Sequence, residues 1–204
     1  MNTHIPIETL PSGTRPVSRM LAAVMLAVCW LVGAVPLAQA APDTFKESEV
    51  KAVFLLNFTQ FVEWPPGAFP EADTPLSIGV LGDDKFADTL EQTVKGEKVK
   101  GRSLVVRRFR DTTGAEACHV LFVSHTEEDR VPTILNRLDK AGVLTVGECA
   151  GFAAQGGAIN FFLQGNRIRF EINPEVARRK GLKICAQLLS LGKLVEMNSV
   201  KGGR

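Results

Sequence analysis

The sequence holds no tyrosine and only three histidines in 204 residues. Histidine is the usual general base and metal ligand near neutral pH, so this scarcity already narrows the chemistry. No His/Cys spacing fits a metal site, no G-x-S-x-G turn presents a nucleophile, and no phosphate loop appears. An excess of charge is also missing. The 24 basic and 22 acidic residues give a net +2, which leaves no electrostatic case for nucleic acid. Without a polybasic run there is none for anionic lipid. Internal repeats and low-complexity segments are absent. Neither catalytic residues, nor a cofactor, nor a metal are expected.

What is present begins with an export pattern. Arg15 and Arg19 precede an apolar stretch from Met20 to Leu37, and Ala38-Gln39-Ala40 fits the small-x-small cleavage pattern. Gly33 and Pro36 interrupt the stretch, which favours a cleaved signal over an uncleaved anchor. The expected boundaries are a leader over 1–40 and one domain over 41–204. Without Arg15, Arg19 and Glu8 the mature chain keeps 22 basic and 21 acidic residues, net +1, and its 164 residues suffice for one core. Its cysteines are Cys118, Cys149 and Cys185. Export permits disulfides, but three is odd, so at least one thiol is free or pairs between chains.

Apolar runs alternate with amphipathic ones, the pattern of a layered α/β domain. A helix is expected over Phe45–Glu63, ended by Pro65-Pro66, with Val50, Val53, Phe54, Asn57, Phe58, Phe61 and Val62 on its inner stripe. Strands are expected over 76–82, 103–109, 119–124 and 143–148. A helix follows the first of them, over 83–94. A second follows the third, capped by Thr126 and kept from starting much before Asp129 by Pro132. The runs 158–164 and 167–172 flank Gly165-Asn166 and form a hairpin. One closing helix, capped by Asn173 with Pro174 at its first position, is expected over 173–196. The sum is a mixed, mostly parallel sheet with helices on both faces.

Few positions invite a functional reading. Ser124-His125 stands at the carboxyl end of a buried strand, near Gly82 at the end of another. That edge of an open α/β sheet is where ligands bind, although a polar loop beside a helix cap reads the same way. Asn57 sits within an apolar stripe, where a buried amide must find partners or cost about 1–3 kcal/mol. Trp64 and Phe69 either close the core or face a partner. If the strands after Cys118 and before Cys149 are parallel neighbours, the two sulfurs lie at opposite edges. A strand of that length spans about 20 Å, beyond disulfide reach.

The ordered set "KAVFLLNFTQFVEWP", "IGVLGDDKF", "VKGRSLVVRRF", "CHVLFVS", "VLTVGECAGFAAQGGAINFFLQGNRIRFEINPEVARRKGLKI" and "LLSLGKLVE" resembles the YfiR family. The N-F-x-x-F-x-x-W-P stretch, Asn57, Phe58, Phe61, Trp64 and Pro65, is its most telling part. The resemblance implies a periplasmic regulator without enzymatic activity. It implies a dimer that represses a YfiN-type membrane diguanylate cyclase, and so restrains biofilm formation, with a YfiB-type outer-membrane lipoprotein able to sequester it. It also implies that redox control through disulfides occurs among relatives. Here Cys149 falls in the loop concerned, but "AGFAAQGG" offers it no second cysteine. A second reading from the residues themselves is a periplasmic small-ligand sensor using Gly82, Ser124 and His125.

Overall fold

The computed structural model describes residues 44–139 and 142–197; the leader read over 1–40 and the tail at 201–204 lie outside them. In chain order the elements are α1 (Thr44–Gln60), β1 (Val62–Glu63), β2 (Leu76–Leu81), α2 (Asp84–Val94), β3 (Lys98–Val99), β4 (Arg102–Phe109), β5 (Val120–Val123), α3 (Val131–Arg137), β6 (Leu144–Gly147), β7 (Ile159–Gln164), β8 (Arg167–Ile172), α4 (Pro174–Arg179), β9 (Lys183–Ile184), α5 (Ala186–Leu191) and β10 (Lys193–Leu194). Short 3-10 turns occupy Ala115–Ala117 and His125–Arg130.

The main sheet has the order β10-β8-β7-β6-β5-β2-β4-β3. Strands β4, β2, β5 and β6 run parallel, and β7 joins β6 in parallel before turning back into β8. The mixed α/β sheet read from the sequence is therefore the observed one. The hairpin turn is also as expected: Gly165 takes a positive φ of 61° at the first turn position, where a two-residue loop of this hand needs glycine.

Period-two alternation divides the central strands between two cores. Ile78, Val80, Val120, Phe122, Leu144 and Val146 face α1 and α2. Leu81, Leu121 and Val123 face the opposite way, with Val131, Ile134 and Leu135 of α3. Being covered on both faces explains why these strands read as unbroken apolar runs. Phe58, 1% exposed, packs on Phe161 and Phe170 with ring centroids at 5.6 and 5.0 Å, an offset and edge-on geometry that adds to the gain from burial.

Four expectations need correction. Helix α1 stops at Gln60, not Glu63, because Val62-Glu63 pairs antiparallel with Ile184 and Lys183. Its buried stripe is Ala52, Leu55, Phe58 and Thr59; Val50 and Val53 are exposed and Asn57 is half-buried. Asn57 is thus not the buried amide its spacing suggested. Thr126 is not the cap: Ser124 caps the 3-10 turn over His125–Arg130, its side chain accepting from the Thr126 N–H, and the α-helix proper starts at Val131 after Arg130, with Pro132 in its first turn. The single closing helix does not exist. It breaks into α4, β9, α5 and β10. Asn173 caps α4 as expected, accepting from the Val176 N–H at 3.2 Å, but Gly181 ends that helix. Its φ is +74°, Leu182 N–H donates to Ala177 O at 2.9 Å, and Gly181 N–H donates to Arg178 O at 3.0 Å. Those two bonds make a Schellman termination, and buried Ala177 and Leu182 supply its apolar contact.

Candidate functional site

Strands β2 and β5 end side by side, and the chain leaves them in opposite directions. From β2 it enters α2 on one face and reaches β4; from β5 it enters α3 on the other face and reaches β6. In an open α/β sheet such a divergence opens a crevice at the carboxyl ends of the strands. Gly82, Ser124 and His125 all stand at this edge. Thr126 Oγ1 donates to Gly82 O at 2.9 Å, closing the gap between the two strand ends. A Cβ at Gly82 would lie 2.5 Å from Thr126 Oγ1. Gly82 is therefore held for close packing, while Ser124 and His125 belong to a polar cluster.

The centre of that cluster is Glu148, just past β6. Its Oε1 accepts from His125 N–H at 3.0 Å, from Ser124 Oγ at 3.3 Å and from His125 Nδ1 at 3.0 Å. Its Oε2 accepts from Lys51 Nζ at 2.5 Å, and Lys51 also reaches Glu47 Oε1 at 2.5 Å. The Lys51 and Glu148 side chains are only 14% and 10% exposed. Burial alone would raise the Glu148 carboxyl, but the hydrogen bonds from Lys51 and His125 hold it below the ordinary glutamate value. Burial likewise disfavours the charged Lys51, and its two carboxylate partners outweigh that and raise it. The knot ties α1 to the sheet edge.

Two clefts flank it. One, of about 690 Å³, lies toward α2 and is bounded by Ser48, Asp83, Lys85 and Phe86. The other, of about 500 Å³, lies toward the hairpin and is bounded by Gly151, Asn160, Phe162 and Ile168. Glu47, Lys51, His125 and Glu148 line both. No group of three or more candidate metal ligands occurs among the described residues.

The opposite edge is sealed. His119 opens β5 there. Its Nδ1 accepts the Ser77 N–H at 3.1 Å, so the ring proton sits on Nε2, which donates to Ala68 O at 2.9 Å. Phe69 stacks on the imidazole with centroids 4.2 Å apart, and the Arg102 guanidinium lies over the Phe69 ring, 4.2 Å from its centroid. Trp64 Nε1 donates to His119 O at 3.2 Å. Trp64 and Phe69 therefore close the core. Burial, opposed by the Ala68 bond and aided by Arg102 and Arg107, lowers the His119 pKa.

The remaining expected residues have structural places. Phe61 O receives the Cys185 N–H at 3.0 Å, and Pro65 packs within 3.3 Å of where a side chain on Gly181 would begin. Asn57 is half-buried on α1. Cys118, Cys149 and Cys185 are free thiols. Cys118 precedes β5 and Cys149 follows its parallel neighbour β6, so the two lie at opposite edges. Burial pushes the Cys149 thiol up to about 11 and also raises Cys118. Reasoning from sequence missed Lys51, Glu148 and Asn160. Only Glu148 left a usable signal, a carboxylate directly after a buried strand at the same edge as Ser124.

A family model described as YfiR/HmsC-like matches residues 48–193. Comparison with the curated proteins finds no match. Among solved structures, a conserved domain protein from Vibrio cholerae is similar at 12% identity and a TM-score of 0.52; the alignment covers 72% of this chain and 59% of that one. The ABC domain in complex with L-Trp from Streptococcus pneumonia is similar at 11% identity, with a TM-score of 0.47 and coverage of 72% and 62%. The chain thus spans about three fifths of the length of each. The Vibrio likeness bears on the fold alone.

Proposed function

This chain belongs to the YfiR/HmsC-like family, and from that premise we propose that it represses a membrane diguanylate cyclase. The family's role is regulatory and periplasmic. In this reading the leader over 1–40 is removed and residues 41–204 act as one domain. That domain, as a homodimer, binds the periplasmic segment of a YfiN-type cyclase and lowers cyclic di-GMP, without turnover of its own. A YfiB-type lipoprotein relieves the repression by sequestering it. No helix among the described residues is long and apolar enough to cross a membrane.

The observation that supports a docking role is apolar surface on the last elements. Leu191 is 63% exposed, Leu194 56% and Met197 43%, and Leu163 on the neighbouring hairpin is 58% exposed. Large apolar side chains exposed on consecutive elements at one end of the chain are what a partner site would use. Capturing membrane partners with the exported protein and assaying the captured material for cyclase activity tests the reading. A cyclase that is held inactive and released by Leu191→Asp is expected. Capture of no cyclase would refute it.

A second reading, a small-ligand sensor, is supported by the clefts on either side of Glu148.

A further inference from the structure

We propose that the cleft between the Lys51–Glu148 knot and the β7–β8 hairpin binds a small organic ammonium ion, a primary amine carried on an apolar body. The inference goes beyond the repressor reading and stands whether or not that reading does. It starts from Asn160 on β7. This side chain is 3% exposed, lines the cleft, and its Oδ1 is the one buried side-chain oxygen or nitrogen among the described residues without a hydrogen-bond partner. A buried acceptor left unpaired is costly, so a ligand that brings a donor recovers that cost on binding.

The charges around it choose the donor. Glu47, Glu148 and Glu171 line the cleft against Lys51 and Lys193. Both lysines are already engaged, Lys51 with Glu47 and Glu148, and Lys193 with Glu171 at 2.9 Å. The lining therefore sets three carboxylates against two lysines, with His125 a further partner of Glu148. The one unmet need is a donor for Asn160 Oδ1, and a primary ammonium supplies it together with a positive charge suited to the neighbouring carboxylates. Phe162, Leu163 and Ile168 give the hairpin wall of the cleft its apolar surface, which suits an apolar body. Lys193 Nζ already lies 5.9 Å from the Phe162 ring centroid, so a cation at this wall has a precedent within the chain. The volume of about 500 Å³ falls in the range of small-ligand sites.

The test titrates the full exported chain, 15N-labelled, with benzylammonium, benzyl alcohol and benzoate, reading the backbone amide cross-peaks of β7 and β8 and, where Asn160 is present, its side-chain amide pair. Saturable shifts with benzylammonium, about tenfold weaker binding of the alcohol and none of benzoate are expected. Asn160→Leu should weaken the amine about tenfold and Glu171→Gln about threefold. Should Asn160→Leu not fold, Glu171→Gln decides alone. Equal binding of the three probes, shifts that fail to saturate, or unchanged affinity in the variants would overturn the proposal.

Discussion

Strand β5 carries a histidine at each end, and the two ends of the sheet have been used in opposite ways. At the amino edge His119 is stacked on Phe69, bonded through both ring nitrogens and roofed by Trp64. At the carboxyl edge His125 is exposed and leans on one carboxylate, Glu148, which Lys51 also holds. One edge satisfies its polar groups with backbone and aromatic surface and leaves nothing for a ligand. The other satisfies them with charged side chains paired to one another beside clefts. The same residue type therefore fills a structural role at one end of four residues of strand and borders a candidate binding site at the other.

The largest expected effect strikes the core that both edges share. Phe58→Ala should cost about 3–5 kcal/mol through lost burial and a cavity. Denaturant unfolding followed by probes at both edges should move together; a midpoint near wild type would remove α1 from the core. Next comes the contrast itself. His119→Ala strands the buried Ser77 N–H and should cost about 1–3 kcal/mol, whereas His125→Ala should stay within about 0.5 kcal/mol. Equal costs would erase the distinction between sealed and open edges.

The pH dependence sharpens it further. His119 has a folded pKa below its unfolded value of 6.5, so its contribution is present above pH 6.5 and is lost as pH falls through the lower folded value. Glu148 is also lowered, from 4.5; its contribution is present above 4.5 and disappears at still lower pH as the carboxylate takes up a proton. Stability measured against pH should lose its first step in His119→Gln and its second in Glu148→Gln. A first step that survives in His119→Gln would assign it elsewhere. The smallest effect concerns the thiols. Cys118 and Cys149 sit at opposite edges with raised thiol pKa values, so oxidation should form no 118–149 bridge and change stability by nothing measurable. Half-buried Cys185 should alkylate first, and peptide mapping under non-reducing conditions reads both outcomes.

The sheet was legible because its strands are buried on both faces and bounded by turn residues; Gly165-Asn166 and Asn173-Pro174 announced the hairpin and the cap. The closing segment was not, because Ile184, Leu188, Leu191 and Val195 keep helical spacing while Gly181 ends the helix before them. The spacing outweighed a single glycine on paper, but in the fold Gly181 and Pro65 pack together and α4 ends there. Asn57 misled for a related reason. Its neighbours Val50 and Val53 are apolar but face out, so composition drew the stripe one position away from Ala52 and Leu55. Of the carboxyl edge, Ser124 and His125 were readable from their place after a buried strand. Lys51, 97 residues away from Glu148 in sequence, was not, since nothing local links a helix lysine to a strand-end glutamate. Asn160 likewise looks like any polar residue of an alternating strand until its missing partner is seen.

The central claim, that this protein holds a diguanylate cyclase in check, is tested most directly by cyclic di-GMP in cells lacking the gene. The account predicts a rise on deletion, reversed by the wild-type chain and not by a folded Leu191→Asp variant. An unchanged cyclic di-GMP level on deletion would contradict it.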